Sequence, residues 1–175
     1  MKKLICFLCG VVVLFIVPSC ADKKHAKNYN LLIDEGSVAF IQQGLEASQT
    51  EIRASKLAES RSSNSHLISF ASKVVTDHAA AGDELEKIAI NNKVRGGDSV
   101  SATHQKVIAD MALLKGAEFD KAYIQLMVAD HQNAVKLYTA ATSDRIEDIQ
   151  RFARKTLPVL KMHLDSANTI YAGLK

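Results

Sequence analysis

An all-α domain, a bundle of four long helices, is what the sequence predicts, on three observations. Four stretches carry apolar residues at helical spacing, Ala, Leu, Lys, Glu and Gln dominate, and no segment after residue 35 alternates as a strand would. Only Pro158 interrupts the helical pattern.

The chain opens Met1-Lys2-Lys3, followed by an almost unbroken apolar run from Leu4 to Val17 and then Pro18, Ser19 and Cys20. A basic start, a short apolar stretch and a small residue before a processing point predict an export signal over residues 1–19. The run is shorter than the ~20 residues a spanning helix needs. Val17-Pro18-Ser19-Cys20 resembles a lipobox, the sequence read by the lipoprotein signal peptidase, which makes Cys20 the acylated residue. Cys6, Cys9 and Cys20 are the only cysteines, so the mature chain has no disulfide framework and no thiol-based metal site. The expectation is a lipid-anchored protein of the cell envelope, on the inner or outer membrane and facing the periplasm or the cell surface. Cleavage leaves 156 residues with 20 basic against 19 acidic, which suits one domain. The basic residues are scattered, so nucleic acid is excluded as a partner, and no particular protein partner is indicated.

Residues 20–35 read as the lipidated Cys20 and a polar tether, and 36–175 as the bundle. The first long helix is predicted over Ser37–Ser60, with Phe40, Ile41, Leu45, Ile52 and Ala58 inward. The second covers Asn64–Asn92, with Leu67, Phe70, Ala71, Val74, Val75, Leu85 and Ile88 inward. The third covers Ala117–Thr142 and turns Phe119, Tyr123, Leu126, Met127, Ala134 and Leu137 inward. The fourth covers Asp144–Tyr171, with Ile149, Phe152, Leu160, Leu164, Ala167 and Ile170 inward. Asp144 and Glu147 form a capping pair for its start, and Pro158 is expected to kink it. The two short connections make antiparallel hairpins. The long one, Lys93 to Gly116, passes a flexible stretch through Gly96-Gly97 and a short helical piece near His104–Leu114. Two hairpins joined by one long crossover is the ferritin-like form of the four-helix bundle; an up-down bundle with a loose loop is the competing topology.

Each long helix carries one ionisable residue near its middle, among apolar or small neighbours: Glu51, His78, His131 and His163. Helices of similar length bring their midpoints to one depth, so these four are expected to converge in the core as metal ligands. Val75-Thr76-Asp77-His78 recurs as Val128-Ala129-Asp130-His131. Adjacent residues on a helix point about 100° apart, so Asp77 and Asp130 are poorly placed to bond their own histidines. They are read as partners orienting a histidine on another helix, or as additional ligands. The same residues are read first as a polar network that fixes helix register, with the metal site as the alternative. His25, His66 and His104 are read as exposed.

Four segments resemble the bacterial family called domain of unknown function 4142, exported ferritin-like bundles. They are Glu51-Ile52 through Lys56-Leu57-Ala58, Phe70-Ala71 through Asp77-His78, Gly116-Ala117-Glu118-Phe119 through Asp130-His131, and Phe152-Ala153 through Pro158 and His163-Leu164. The resemblance implies the four-helix fold and brings no activity. Carboxylate di-iron bundles use Glu-x-x-His on two helices, whereas Val75 precedes His78 and Leu160 precedes His163 by three residues. Ferroxidase chemistry is therefore not inherited from the fold. A histidine-rich set suits Zn, Cu, Ni or Fe better than Mg or Ca.

Two functions are open at this point. One is a non-enzymatic envelope protein whose bundle has a structural or interaction role. The other is a metal-binding or metal-dependent redox protein of the periplasm. Hydrolase readings are weak, because no serine elbow, HExxH or phosphate loop is present.

Overall fold

The structure, a computed structural model, describes residues 33–95 and 100–174. The predicted export signal, Cys20, His25, most of the predicted tether and Gly96-Gly97 lie outside the described residues. Among the described residues there are five helices and no strand: α1 (Glu35–Arg61), α2 (Ser65–Asn91), α3 (Ala102–Met111), α4 (Gly116–Ala141) and α5 (Glu147–Gly173). None of them is long and apolar enough to cross a membrane.

The helix ends follow local chemistry. Asp34 caps α1 by accepting the Ser37 N–H at 2.8 Å, which draws Glu35 out of the predicted tether into the helix. Asn64 caps α2 by accepting from His66 and Leu67, and Ser101 caps α3 through His104 N–H. Helix α4 begins at Gly116 with φ of 55°, a left-handed conformation that a glycine adopts without a Cβ clash. The predicted capping pair at Asp144 is corrected. Helix α5 starts at Glu147, three residues later, and its cap position, Ile146, makes no side-chain cap bond. Asp144 instead accepts Ile146 N–H and the Ser37 hydroxyl, tying the α4–α5 turn to the start of α1. Helix α5 continues through Pro158, which sits on its exposed side.

Helix α1 packs beside α2 and α4, and α5 beside α2 and α4, so the four long helices form a ring. One apolar cluster gathers Phe40 and Ile41 from the start of α1, Leu85 and Ile88 from the end of α2, Tyr138 from the end of α4, and Ile149 and Phe152 from the start of α5. The other gathers Ala54 and Ala58, Leu67 and Phe70, Phe119 and Tyr123, and Ala167 from the opposite ends. Helices α1 and α5 therefore run one way and α2 and α4 the other. The crossover starts beside the first cluster at Val94 and reaches the second at Met111, so it travels the length of the bundle. The parallel run of α2 and α4 rules out the up-down topology. Gly44 lets α1 and α2 approach closely, since a Cβ there would stand 2.6 Å from Leu85 Cδ2.

A buried histidine and carboxylate layer

Between the two apolar clusters lies a polar layer built from one residue of each long helix. Glu51 of α1 and His131 of α4 are fully buried, and His78 of α2 and His163 of α5 nearly so. One ring nitrogen from each of the three histidines lies within 4.8 Å of the other two. Their rings meet at centroid distances of 5.2 to 5.6 Å. All four residues singled out in the sequence thus come together.

The hydrogen bonds fix where the protons sit. His131 Nδ1 lies 2.9 Å from the Met127 carbonyl, which can only accept, so Nδ1 carries the hydrogen. His163 Nε2 lies 2.8 Å from Asp77 Oδ2, so Nε2 donates to the carboxylate. In the neutral rings this leaves bare lone pairs on His131 Nε2 and His163 Nδ1, which face each other at 3.2 Å. Glu51 Oε2 stands 3.5 Å from the same His131 nitrogen and 2.7 Å from His78 Nε2. That shorter contact is out of line with a ring N–H, so it is an attraction of charge rather than a well-formed hydrogen bond. Neither Glu51 oxygen and neither His78 nitrogen has an aligned hydrogen-bond partner.

Electrostatics divides the layer. Burial lowers the pKa of His131, and the Glu51 charge only partly compensates. Burial likewise pulls His163 down to about 4 against the opposing bond from Asp77. Burial also disfavours charge on His78, but the adjacent Glu51 carboxylate outweighs it and raises the His78 pKa. Burial pushes Glu51 up, yet the facing histidines, His78 foremost, hold it below the usual carboxylate range. The layer therefore contains an ionised Glu51–His78 pair and two neutral imidazoles.

The two aspartates of the repeat part company. Asp77 crosses to His163 on a different helix and also accepts from Lys73 at 2.9 Å. Asp130 makes no bond to the three clustered histidines; its nearest ionic neighbour is His104 Nε2, at 3.8 Å. Asp130 Oδ2 is buried without a hydrogen-bond partner, and burial with the nearby Glu51 charge lifts the carboxyl to about 7. His104, read as exposed, is half-buried, because α3 lies against α1 and α4 and sets its Nδ1 2.8 Å from Glu46 Oε1. Glu46 had no signal in the sequence beyond its charge. His66 is exposed, and Tyr123 pairs with Ser55 at 2.8 Å inside the core.

The fold and this layer define a class: an all-helical bundle with a buried, titratable centre at mid-height. The profile of the family described as domain of unknown function DUF4142 matches residues 23–170, and the chain belongs to that family. No curated protein matches it in sequence. Its fold is similar to a crystal structure of a DUF305 fragment from Deinococcus radiodurans, with a TM-score of 0.71 and 17% identity, covering 79% of this chain and 97% of that one. It is also similar to a DUF305 protein from Streptomyces coelicolor, with a TM-score of 0.66 and 13% identity, covering 79% and 93%. At such identities the likeness concerns the fold alone.

Proposed function

We propose that the chain is an envelope lipoprotein, anchored through Cys20, whose bundle binds one first-row transition-metal ion at Glu51, His78, His131 and His163. The observation that carries this reading is the pair of lone pairs on His131 Nε2 and His163 Nδ1, 3.2 Å apart beside a carboxylate oxygen. Two lone pairs facing each other in a buried layer repel one another unless a cation or a proton lies between them. Burial disfavours the proton on both rings. Ligand atoms around a tetrahedral ion with bonds of ~2.0–2.1 Å stand roughly 3.4 Å apart, and His131 Nε2 lies 3.2 Å from His163 Nδ1 and 3.5 Å from Glu51 Oε2. Three imidazoles and one carboxylate suit Zn, Cu, Ni or Fe rather than Mg or Ca. Asp77 holds the His163 ring as the carboxylate partners of ligating histidines do. The anchor rests on the signal-like start and on Cys20 ending it.

The test is calorimetric titration of the mature domain with Zn(II), Cu(II), Ni(II) and Fe(II), on the parent and on His131→Ala and His163→Ala. The expected result is one site per chain in the parent and its loss in both variants. Binding unchanged in both variants overturns the centre. No binding in the parent leaves the layer as a polar network that holds the helices in register, and with it the structural role. For the anchor, mass spectrometry of the native protein is expected to find a chain beginning at acylated Cys20. A mature chain that retains Cys6 overturns it.

A further inference from the structure

The polar layer is not sealed equally on all sides. Between α1 and α2 runs a cleft of about 420 Å³ that reaches His78. Small residues open it. Ser48 on α1 and Ala79 and Gly82 on α2 form its walls, and the Gly82 Cβ position has nothing nearer than Ser48 Cβ at 3.8 Å. Ile52, predicted to be core, is half-buried because it lines this opening. The cleft is also lined by Asp83 and Glu86, both exposed and neither in an ion pair among the described residues. At its inner end His78 is 5% exposed and has no aligned hydrogen-bond partner on either nitrogen.

We propose that this cleft is an outer station for a hydrated divalent cation, occupied between solvent and the buried centre. The inference rests on the metal-centre reading above and adds where the ion is held before it sheds its water. Six waters fill roughly 180 Å³ at liquid density, so the cleft admits the ion with its full shell. Two carboxylates beside low-dielectric walls concentrate cations there and speed capture. His78 is the first group of the centre that an ion moving inward meets and becomes a ligand as its proton leaves, and Glu51, 2.7 Å from His78 Nε2, is the next.

The probe is Co(II), whose visible bands report displacement of water by imidazole, followed by stopped flow on the mature domain. Asp83→Asn with Glu86→Gln removes the attraction and leaves the centre intact. The association rate is expected to fall about tenfold at low salt, with the difference fading near 0.15 M as screening sets in. Ala79→Leu plugs the opening from an exposed helix position where Leu is nearly as good a helix former as Ala. It is expected to slow uptake and release by the same factor, leaving Kd unchanged. Circular dichroism confirms that both variants fold. Parent-like rates in both variants, with normal binding at equilibrium, overturn the station alone. A parent that takes up no Co(II) overturns the centre, and the station with it.

Discussion

The two hairpins contribute to the polar layer in opposite states. From α1 and α2 come Glu51 and His78, opposite charges 2.7 Å apart. From α4 and α5 come His131 and His163, which burial keeps neutral and whose tautomers are fixed by the Met127 carbonyl and by Asp77. The α4–α5 half thus already presents the neutral lone pairs that the proposed metal would take, while the α1–α2 half holds a proton that such an ion would displace. Sequence position alone makes the four residues look equivalent. Their surroundings assign them different work.

The largest expected effect tests the charged half. Glu51→Ala strands the His78 charge in the core, and removing one partner of a buried ion pair costs about 3–5 kcal/mol. Urea unfolding of the metal-free domain at neutral pH measures it. His163→Ala removes a neutral ring and is expected to cost less, about 1–3 kcal/mol, since Asp77 loses one donor and keeps Lys73 as the other. A reversal of that order breaks the distinction between the halves.

Next comes the neutral half. Asp77→Ala releases the His163 ring and is expected to weaken metal binding about 10- to 100-fold. Lys73→Ala removes only the surface partner of the same carboxylate, and its affinity is expected to stay near the parent's. Equal losses in both variants break the assignment of Asp77 to holding the His163 ring.

A third measurement counts protons. Metal binding at pH 7 is expected to release about one proton per ion, from His78, falling toward none as pH rises through its raised pKa. Calorimetry in buffers of different ionisation enthalpy reads this directly. Release of none at pH 7 places both halves on the same footing.

The smallest effect is the pH profile of the metal-free domain. His163 has a folded pKa of about 4 against an unfolded value of ~6.5, so between these values the unfolded chain binds more protons. Stability is expected to decline as pH falls from ~6.5 to ~4, and replacing His163 with Phe flattens that decline. His78 has the opposite sign: its contribution is full below ~6.5 and is lost as pH rises through the folded value.

Much of the layer was legible because helix register is written in the sequence. Mid-helix positions with small or apolar neighbours at three and four residues place Glu51, His78, His131 and His163 inward at one depth. The angle between adjacent helical residues also predicts that Asp77 must look to another helix, and it meets His163. What could not be read depends on how irregular segments lie on the bundle. His104 meets Glu46 and Asp130 only because α3 settles against α1 and α4, and no periodicity encodes that path. Asp144 resembles a helix cap by spacing, yet the nearness of Ser37, 107 residues away, gives its carboxylate another partner. The cleft at His78 arises from side chains too small to close it, a property of two helices together.

The lengthwise crossover carries a consequence for how the protein comes into being. Each hairpin is joined by a short turn and can form from local contacts, which are fast to make. Bringing α2 alongside α5 and α1 alongside α4 requires the chain from Asn92 to Lys115 to stretch from one end of the bundle to the other. Closing so long a segment comes with an entropy cost that neither hairpin bears alone. A centre with two groups on each hairpin therefore does not exist in any half-built intermediate. An ion bound at the proposed centre would recognise only the finished chain, and so act as a clasp on a folding event already complete.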